Sequence, residues 1–186
     1  YVEGDDPPTI EGFAAAVLDA VRETCKTLAV PLPQVVVEPG RSIAGPAGTT
    51  LYTVGAVKEI PGVRLYAIVD GGMGDNIRPA LYQAQYEAAL ANRITERPAT
   101  TVTIAGKYCE SGDVLIQKVH LPYPAAGDIL AVPATGAYNY TMAMNYNRLP
   151  RPAMVLVKEG RAETIVSRES FEDLVCNDQI PERLWK

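Results

Sequence analysis

The chain has 186 residues, of which 47% are hydrophobic and 21% charged, with a formal net charge of −5. This apolar content excludes an intrinsically disordered chain, and the lack of a basic excess speaks against a nucleic-acid partner. No apolar run approaches the ~20 residues that cross a bilayer, so no membrane role is expected.

The chain opens at Tyr1, without a methionine and without the basic-then-apolar pattern of a secretory signal. It reads as starting part-way into a longer protein. The cysteines, Cys25, Cys109 and Cys176, are odd in number and widely spaced. That suits a reducing, cytoplasmic compartment better than a disulfide framework. His120 is the only histidine, so neither a histidine-rich metal site nor a Ser-His-Asp triad is expected, and His120 reads as structural.

The first predicted element is a helix. Thr9 is its N-cap, Glu11 sits in the first turn, and Ile10, Phe13, Ala14, Val17, Leu18, Val21, Cys25 and Leu28 recur at three- and four-residue steps. They predict one buried stripe with Cys25 in it. Val35-Val36-Val37, bounded by Pro33 and Glu38-Pro39-Gly40, reads as a short buried parallel strand. After Arg41 the pattern changes to short candidate strands at 49–59, 63–70, 85–91, 100–107, 113–120, 127–133 and 153–168. Their close spacing predicts an antiparallel sandwich or barrel. One short helix interrupts them, capped by Asn76 with Pro79 in its first turn. Arg78 and Tyr82 lie on its one face. A last helical turn is expected within 169–178.

Several segments carry chemistry. Glu38-Pro39-Gly40-Arg41 is either a plain turn with a surface arginine, or the end of a barrel strand whose Arg41 forks onto phosphate or carboxylate. Asp70 to Asn76 is a glycine-rich turn, mobile or facing an anion. Cys109-Glu110 sits between two strands, as a buried thiol beside a solvated carboxylate or as an acid–base pair with Glu110 holding a cation. Thr135 to Tyr140, with Met142, Met144, Tyr146 and Asn147 nearby, offers a hydroxyl for phosphate and a wall for a planar ring, or tyrosines packed at a domain edge.

Glu38-Pro39-Gly40-Arg41-Ser42, Val69-Asp70-Gly71-Gly72-Met73, Arg78-Pro79-Ala80-Leu81-Tyr82, Cys109-Glu110-Ser111-Gly112-Asp113 and Thr135-Gly136-Ala137-Tyr138 occur in this order. The set resembles the C-terminal half of the diaminopimelate decarboxylase family. Asn145-Tyr146-Asn147-Arg148, Pro150-Arg151-Pro152 and Arg168 to Leu174 extend the likeness over nearly the whole chain.

The resemblance implies a mainly β C-terminal barrel or sandwich domain, residues 42–186, preceded by the last helix and strand of a TIM-type (β/α)8 barrel, residues 1–41. It implies a pyridoxal 5′-phosphate enzyme that converts meso-diaminopimelate to L-lysine and CO2, with an active site shared across a homodimer. Carried over by motif, Glu38, Gly40, Arg41 and Tyr138 fall at cofactor positions, and Arg41, Arg78, Tyr82, Glu110 and Tyr138 at substrate positions. Cys109 falls where the family protonates the carbon left by CO2. The family's Schiff-base lysine, ring-stacking histidine and glycine-rich phosphate loop lie upstream of the matched segment. None of Lys26, Lys58, Lys107, Lys118, Lys158 and Lys186 takes the Schiff-base position, so the 186 residues alone are expected to be inactive. The alternatives are a related arginine, ornithine or carboxynorspermidine decarboxylase, and a non-catalytic dimerising regulator.

Overall fold

The computed structural model describes Val2, Gly4 and residues 6–185. Helix α1 spans Ile10–Leu28. The Thr9 hydroxyl oxygen accepts the Gly12 N–H at 3.0 Å, and Ala29 ends the helix in a left-handed conformation. None of its residues is buried, and Phe13 is 56% exposed. The stripe predicted as buried is therefore open, with Cys25 half-buried, because no other element packs extensively on it. Val35-Val36-Val37 also departs from expectation. The run is exposed and forms no strand. A strand exists only as part of a ladder, and no described strand offers these residues a partner.

Helix α2 (Gly40–Ala44) follows directly, and the sheet begins after it. Its strands are β1 (Thr49–Ile60), β2 (Arg64–Val69), β3 (Ala89–Leu90), β4 (Thr100–Ala105), β5 (Val114–Leu121) and β6 (Ile129–Pro133). Their order is β3-β6-β1-β2-β4-β5, antiparallel throughout except for the β2–β4 pair. The sheet curls into an open half-barrel with β3 and β5 as its edges.

The twelve residues of β1 serve two partners. Thr49–Thr53 pair with β6, and Val54–Ile60 pair with β2. The register shifts between Val54 and Ala56, so Gly55 is the extra residue of a bulge. A bulge bends a strand and increases its twist, which lets one strand turn the corner between two partners.

The core lies inside the curl. Alternation in β2 buries Leu65, Ala67 and Val69, and β6 contributes Leu130 and Val132. Val102 and Ile104 of β4 meet Leu115, Ile116 and Leu121 of β5. Each such side chain contributes about 1.5–3 kcal/mol by leaving water.

Helix α3 (Arg78–Tyr82) carries Pro79 in its first turn, and the Asn76 side chain accepts the Arg78 N–H at 3.3 Å. Helix α4 spans Asn139–Met142. The single strand expected over 153–168 is instead a separate hairpin, β7 (Met154–Lys158) and β8 (Arg161–Val166). Glu159 and Gly160 both take positive φ, 51° and 75°, the geometry that tight hairpin turns require. The strand expected over 85–91 pairs only at Ala89 and Leu90. Helix α5 (Phe171–Val175) starts under a capping box and is followed by a 3-10 turn at Glu182–Leu184. Ser170 and Asp173 exchange side-chain and backbone bonds in the capping box. His120 lies opposite Thr101 on the exposed face of the β4–β5 ladder, with Nδ1 3.3 Å from the threonine hydroxyl. Among the described residues no helix is long and apolar enough to cross a membrane.

Candidate active site

The candidate residues fall into two groups. The first is built on α2, α3 and the segment entering α4. Glycines bring these segments together. Gly136 N–H donates to the Gly45 carbonyl at 3.0 Å, and Thr135 N–H to the Gly48 carbonyl at 3.0 Å. A Cβ on Gly136 would collide with the Ala44 carbonyl oxygen. The turn carrying Glu38, Gly40 and Arg41 is thus stitched to the segment that ends in Tyr138. The Arg41 side chain is exposed.

Tyr138 has φ 70° and ψ −43°, a region that costs a non-glycine residue about 1–3 kcal/mol. The Thr141 hydroxyl and the Met142 N–H both donate to its carbonyl, at 2.9 and 2.8 Å, and hold the turn. The Arg78 guanidinium then lies between two rings, 5.1 Å from the Tyr138 centroid and 5.3 Å from that of Tyr82. Among the described residues no carboxylate forms an ion pair with Arg78. A guanidinium stacked near aromatic rings can still offer its N–H groups to a carboxylate.

The second group surrounds the β4–β5 connection, where Cys109 and Glu110 are both exposed. The Tyr146 hydroxyl donates to Glu110 Oε2 at 3.0 Å, and the Ser111 hydroxyl to Oε1 at 3.2 Å. The Tyr146 bond, the Gly112 and Ser111 backbone N–H groups and the Ser111 hydroxyl hold the Glu110 carboxyl below its usual range. The same Glu110 contact pushes the Tyr146 phenol up. The Tyr146 ring packs on Tyr108, with centroids 6.1 Å apart.

Asp113 fixes this connection from beneath. It is buried, and its Oδ1 and Oδ2 accept the N–H groups of Met73 and Tyr108, each at 2.7 Å. Burial pushes its carboxyl up despite these two bonds. Asp75 accepts the Gly72 N–H at 3.0 Å and is likewise raised by burial. The glycine-rich turn is therefore neither mobile nor anion-facing. Gly71, Gly72 and Gly74 are buried, and the Gly72 and Met73 amides are spent on Asp75 and Asp113.

Among the described residues, no hydrogen bond, ion pair or ring contact joins Arg78, Tyr82 or Tyr138 to Cys109, Glu110 or Tyr146. Sequence spacing brought Arg78 and Tyr82 together but left Tyr138 apart, since only the folded α4 turn delivers that ring. It also missed Tyr146 and Asp113 as partners of the Cys109-Glu110 segment. The one signal was their presence in the matching motifs.

The geometry can be set beside known proteins. Residues 15–136 match the model of a family described as "Pyridoxal-dependent decarboxylase, C-terminal sheet domain". The chain belongs to this decarboxylase family. It is 57% identical over 178 residues to the diaminopimelate decarboxylase of Bacillus subtilis (strain 168), covering 96% of this chain and 40% of that protein. With the diaminopimelate decarboxylase of Synechocystis sp. it shares 51% over 184 residues, covering 99% of this chain and 39% of the relative. The crystal structure of diaminopimelate decarboxylase from M. jannaschii in co-complex with L-lysine superimposes with a TM-score of 0.88 at 35% identity, covering 99% of this chain and 41% of that one. The chain thus spans about 40% of the length of the curated relatives it matches.

Proposed function

We propose that this chain is the C-terminal part of a pyridoxal 5′-phosphate-dependent diaminopimelate decarboxylase, which converts meso-diaminopimelate to L-lysine and CO2. The observation that carries the reading is the pair of charge-recognition groups. Arg78 offers a guanidinium edge between two aromatic rings, and Glu110 offers a carboxylate held ionised by Tyr146. A substrate with both a carboxylate and an ammonium at its far end needs both. Ornithine, arginine and lysine have no second carboxylate, so a fork at Arg78 favours diaminopimelate over them.

Residues 42–186 serve in this reading as the C-terminal β-domain, and 1–41 as the end of the cofactor-holding barrel. The open apolar stripe of α1 and the exposed Val35–Val37 run are surfaces suited to such neighbours. The donor set fits a phosphate ester. Arg41 supplies a guanidinium and Tyr138 a phenol, both exposed, on segments stitched through Gly45 and Gly136. Glu38 and Gly40 shape the turn, with the Gly40 N–H donating to the Glu38 carbonyl at 2.9 Å. Pyridoxal phosphate, when bound, supplies the electron sink for the pair released as CO2 leaves.

This chain's own residues bind and move a proton. Arg41 and Tyr138 orient the phosphate end and the reacting end of the substrate. Arg78 and Tyr82 hold the distal carboxylate, and Glu110 holds the distal ammonium. The Cys109 thiol, beside Glu110, gives its proton from Sγ to the carbon that has lost CO2. The two groups serve one substrate if they come from different protomers, so the reading includes a homodimer with the site at its interface. The free thiols of Cys25, Cys109 and Cys176 suit action in the cytoplasm.

The test is a substrate panel on the enzyme that carries this chain as its C-terminal part. Turnover of meso-diaminopimelate far above that of ornithine, arginine and lysine is expected, and Arg78→Gln should narrow the gap. Equal turnover of ornithine would overturn the assignment.

A further inference from the structure

Glu169 lies outside both groups and far along the chain from Glu110, yet two residues, Asn145 and Arg151, converge on its carboxylate. Its Oε2 accepts Asn145 Nδ2 at 2.6 Å and the Arg151 N–H at 2.8 Å. Its Oε1 accepts Arg151 Nε at 2.8 Å and Nη2 at 2.5 Å. One carboxylate thereby clamps both ends of the 145–151 segment. Inside it, Asn147 and Arg148 take positive φ of 55° each, and Arg148 pairs bidentately with Asp178 at 2.8 and 2.6 Å. Tyr146 is the residue next to the clamped Asn145, and its hydroxyl reaches Glu110.

We propose that Glu169 is a positioning residue: through Asn145 and Arg151 it fixes the 145–151 segment so that the Tyr146 hydroxyl meets Glu110 Oε2. The strut runs from Glu169 to Asn145, to Tyr146, to Glu110, and each link is a hydrogen bond or an adjacent peptide unit. An exposed carboxylate on a loop has many rotamers. A fixed phenol donor selects one of them and favours the charged form. The other groups facing Glu110 are the Ser111 hydroxyl and the Ser111 and Gly112 backbone N–H groups. All belong to its own loop and move with it. Among the described residues, Tyr146 alone ties that carboxylate to another part of the fold. The consequence for substrate rests on the reading of Glu110 as the ammonium site; the strut itself does not.

The experiment follows the Glu110 side-chain carboxyl by carbon NMR titration in the full chain, assigned with Glu110→Gln. Tyr146→Phe is expected to raise the Glu110 midpoint toward the ordinary carboxylate range. Glu169→Gln and Asn145→Ala should raise it in the same direction, and Tyr146→Phe/Glu169→Gln should match Tyr146→Phe alone. Glu163→Gln, an exposed carboxylate on the β7–β8 hairpin, should leave it unchanged. A midpoint moved by Tyr146→Phe but by neither Glu169→Gln nor Asn145→Ala overturns the proposal. Asn145→Ala decides the case if Glu169→Gln does not fold.

In the enzyme, Glu169→Gln is expected to raise KM for meso-diaminopimelate by about tenfold with kcat within about twofold, as for a lost bond at a charged group. Titration shifts as expected, with no effect of Glu110→Gln on KM, would sink the functional reading and leave the strut. The reverse pattern would sink the strut alone.

Discussion

The Arg78 guanidinium sits 5.1 Å from the ring centre of Tyr138, a residue whose backbone is held at positive φ to put it there. Arg78 itself is placed by α3, whose first N–H is taken by the buried Asn76 side chain. Two rigid termini thus deliver one cation and one ring to the same spot. In the enzyme, Arg78→Gln is expected to lower kcat/KM for meso-diaminopimelate by about 100-fold, the worth of a charge-assisted fork. Tyr82→Leu removes one ring face and should raise KM only about two- to fivefold. Arg78→Lys should rescue little, because an ammonium has neither the fork nor the flat face. Steady-state kinetics of the three variants checks this.

Gly136 lies where two backbones meet. Gly136→Ala pushes a methyl group into the Ala44 carbonyl. The chain is expected to lose about 1–3 kcal/mol, typical of forced backbone shifts. Urea unfolding measures the loss, and weakened pyridoxal phosphate retention in the enzyme should accompany it. Gly112→Ala, with open space around its Cβ, is the control.

Asp128 ties the connection before β6 to the turn after β3. It accepts the Ala125 N–H at 2.8 Å, Asn92 Nδ2 at 3.0 Å and Arg93 Nη1 at 3.0 Å, with its side chain 7% exposed. Asp128→Ala removes the acceptor shared by the Ala125 and Asn92 amides, while Arg93 keeps Glu96 and the Tyr123 carbonyl. A loss of about 1–2 kcal/mol, that of part-buried donors left unsatisfied, is expected in urea unfolding, and Asp128→Asn should lose less.

Glu169 sets a pH dependence. The Arg151 side-chain and backbone bonds, with the Asn145 bond, bring its carboxyl from about 4.5 down to about 2. A depressed carboxyl contributes stability that is present above the unfolded value and is lost as pH falls through the folded one. The melting temperatures of the native chain and Glu169→Gln should differ by a constant amount above about pH 5. That gap should close between about 4.5 and 2. A constant gap across the whole range would refute the assignment.

Much of the sheet was legible because β-branched runs and turn residues are local signals. The ranges 49–59, 63–70, 100–107, 113–120 and 127–133 each contain or closely match an observed strand. Thr9 and Pro79 announced their helix starts in the same way, whereas Ile77 rather than the expected Asn76 takes the cap position of α3. The Glu159-Gly160 turn was missed, although a glycine inside a long run is the usual mark of a reversal. Val35–Val37 misled, because β-propensity describes a surface to be paired and says nothing of the partner. Arg78 with Tyr82 was visible at helical spacing. The Arg78–Tyr138, Glu110–Tyr146 and Asp113–Met73 contacts were not, because each joins segments distant in sequence that only the finished sheet brings together.

Strand β1 has a consequence for how the molecule comes apart. Its first half carries the β6 ladder and its second half the β2 ladder, with the Gly55 bulge between them. Pulling either ladder open strains the hinge they share. Amides on both sides of Gly55 should therefore exchange with solvent at one common rate, that of global unfolding, so that six strands behave as a single cooperative unit while the β7–β8 hairpin opens on its own schedule.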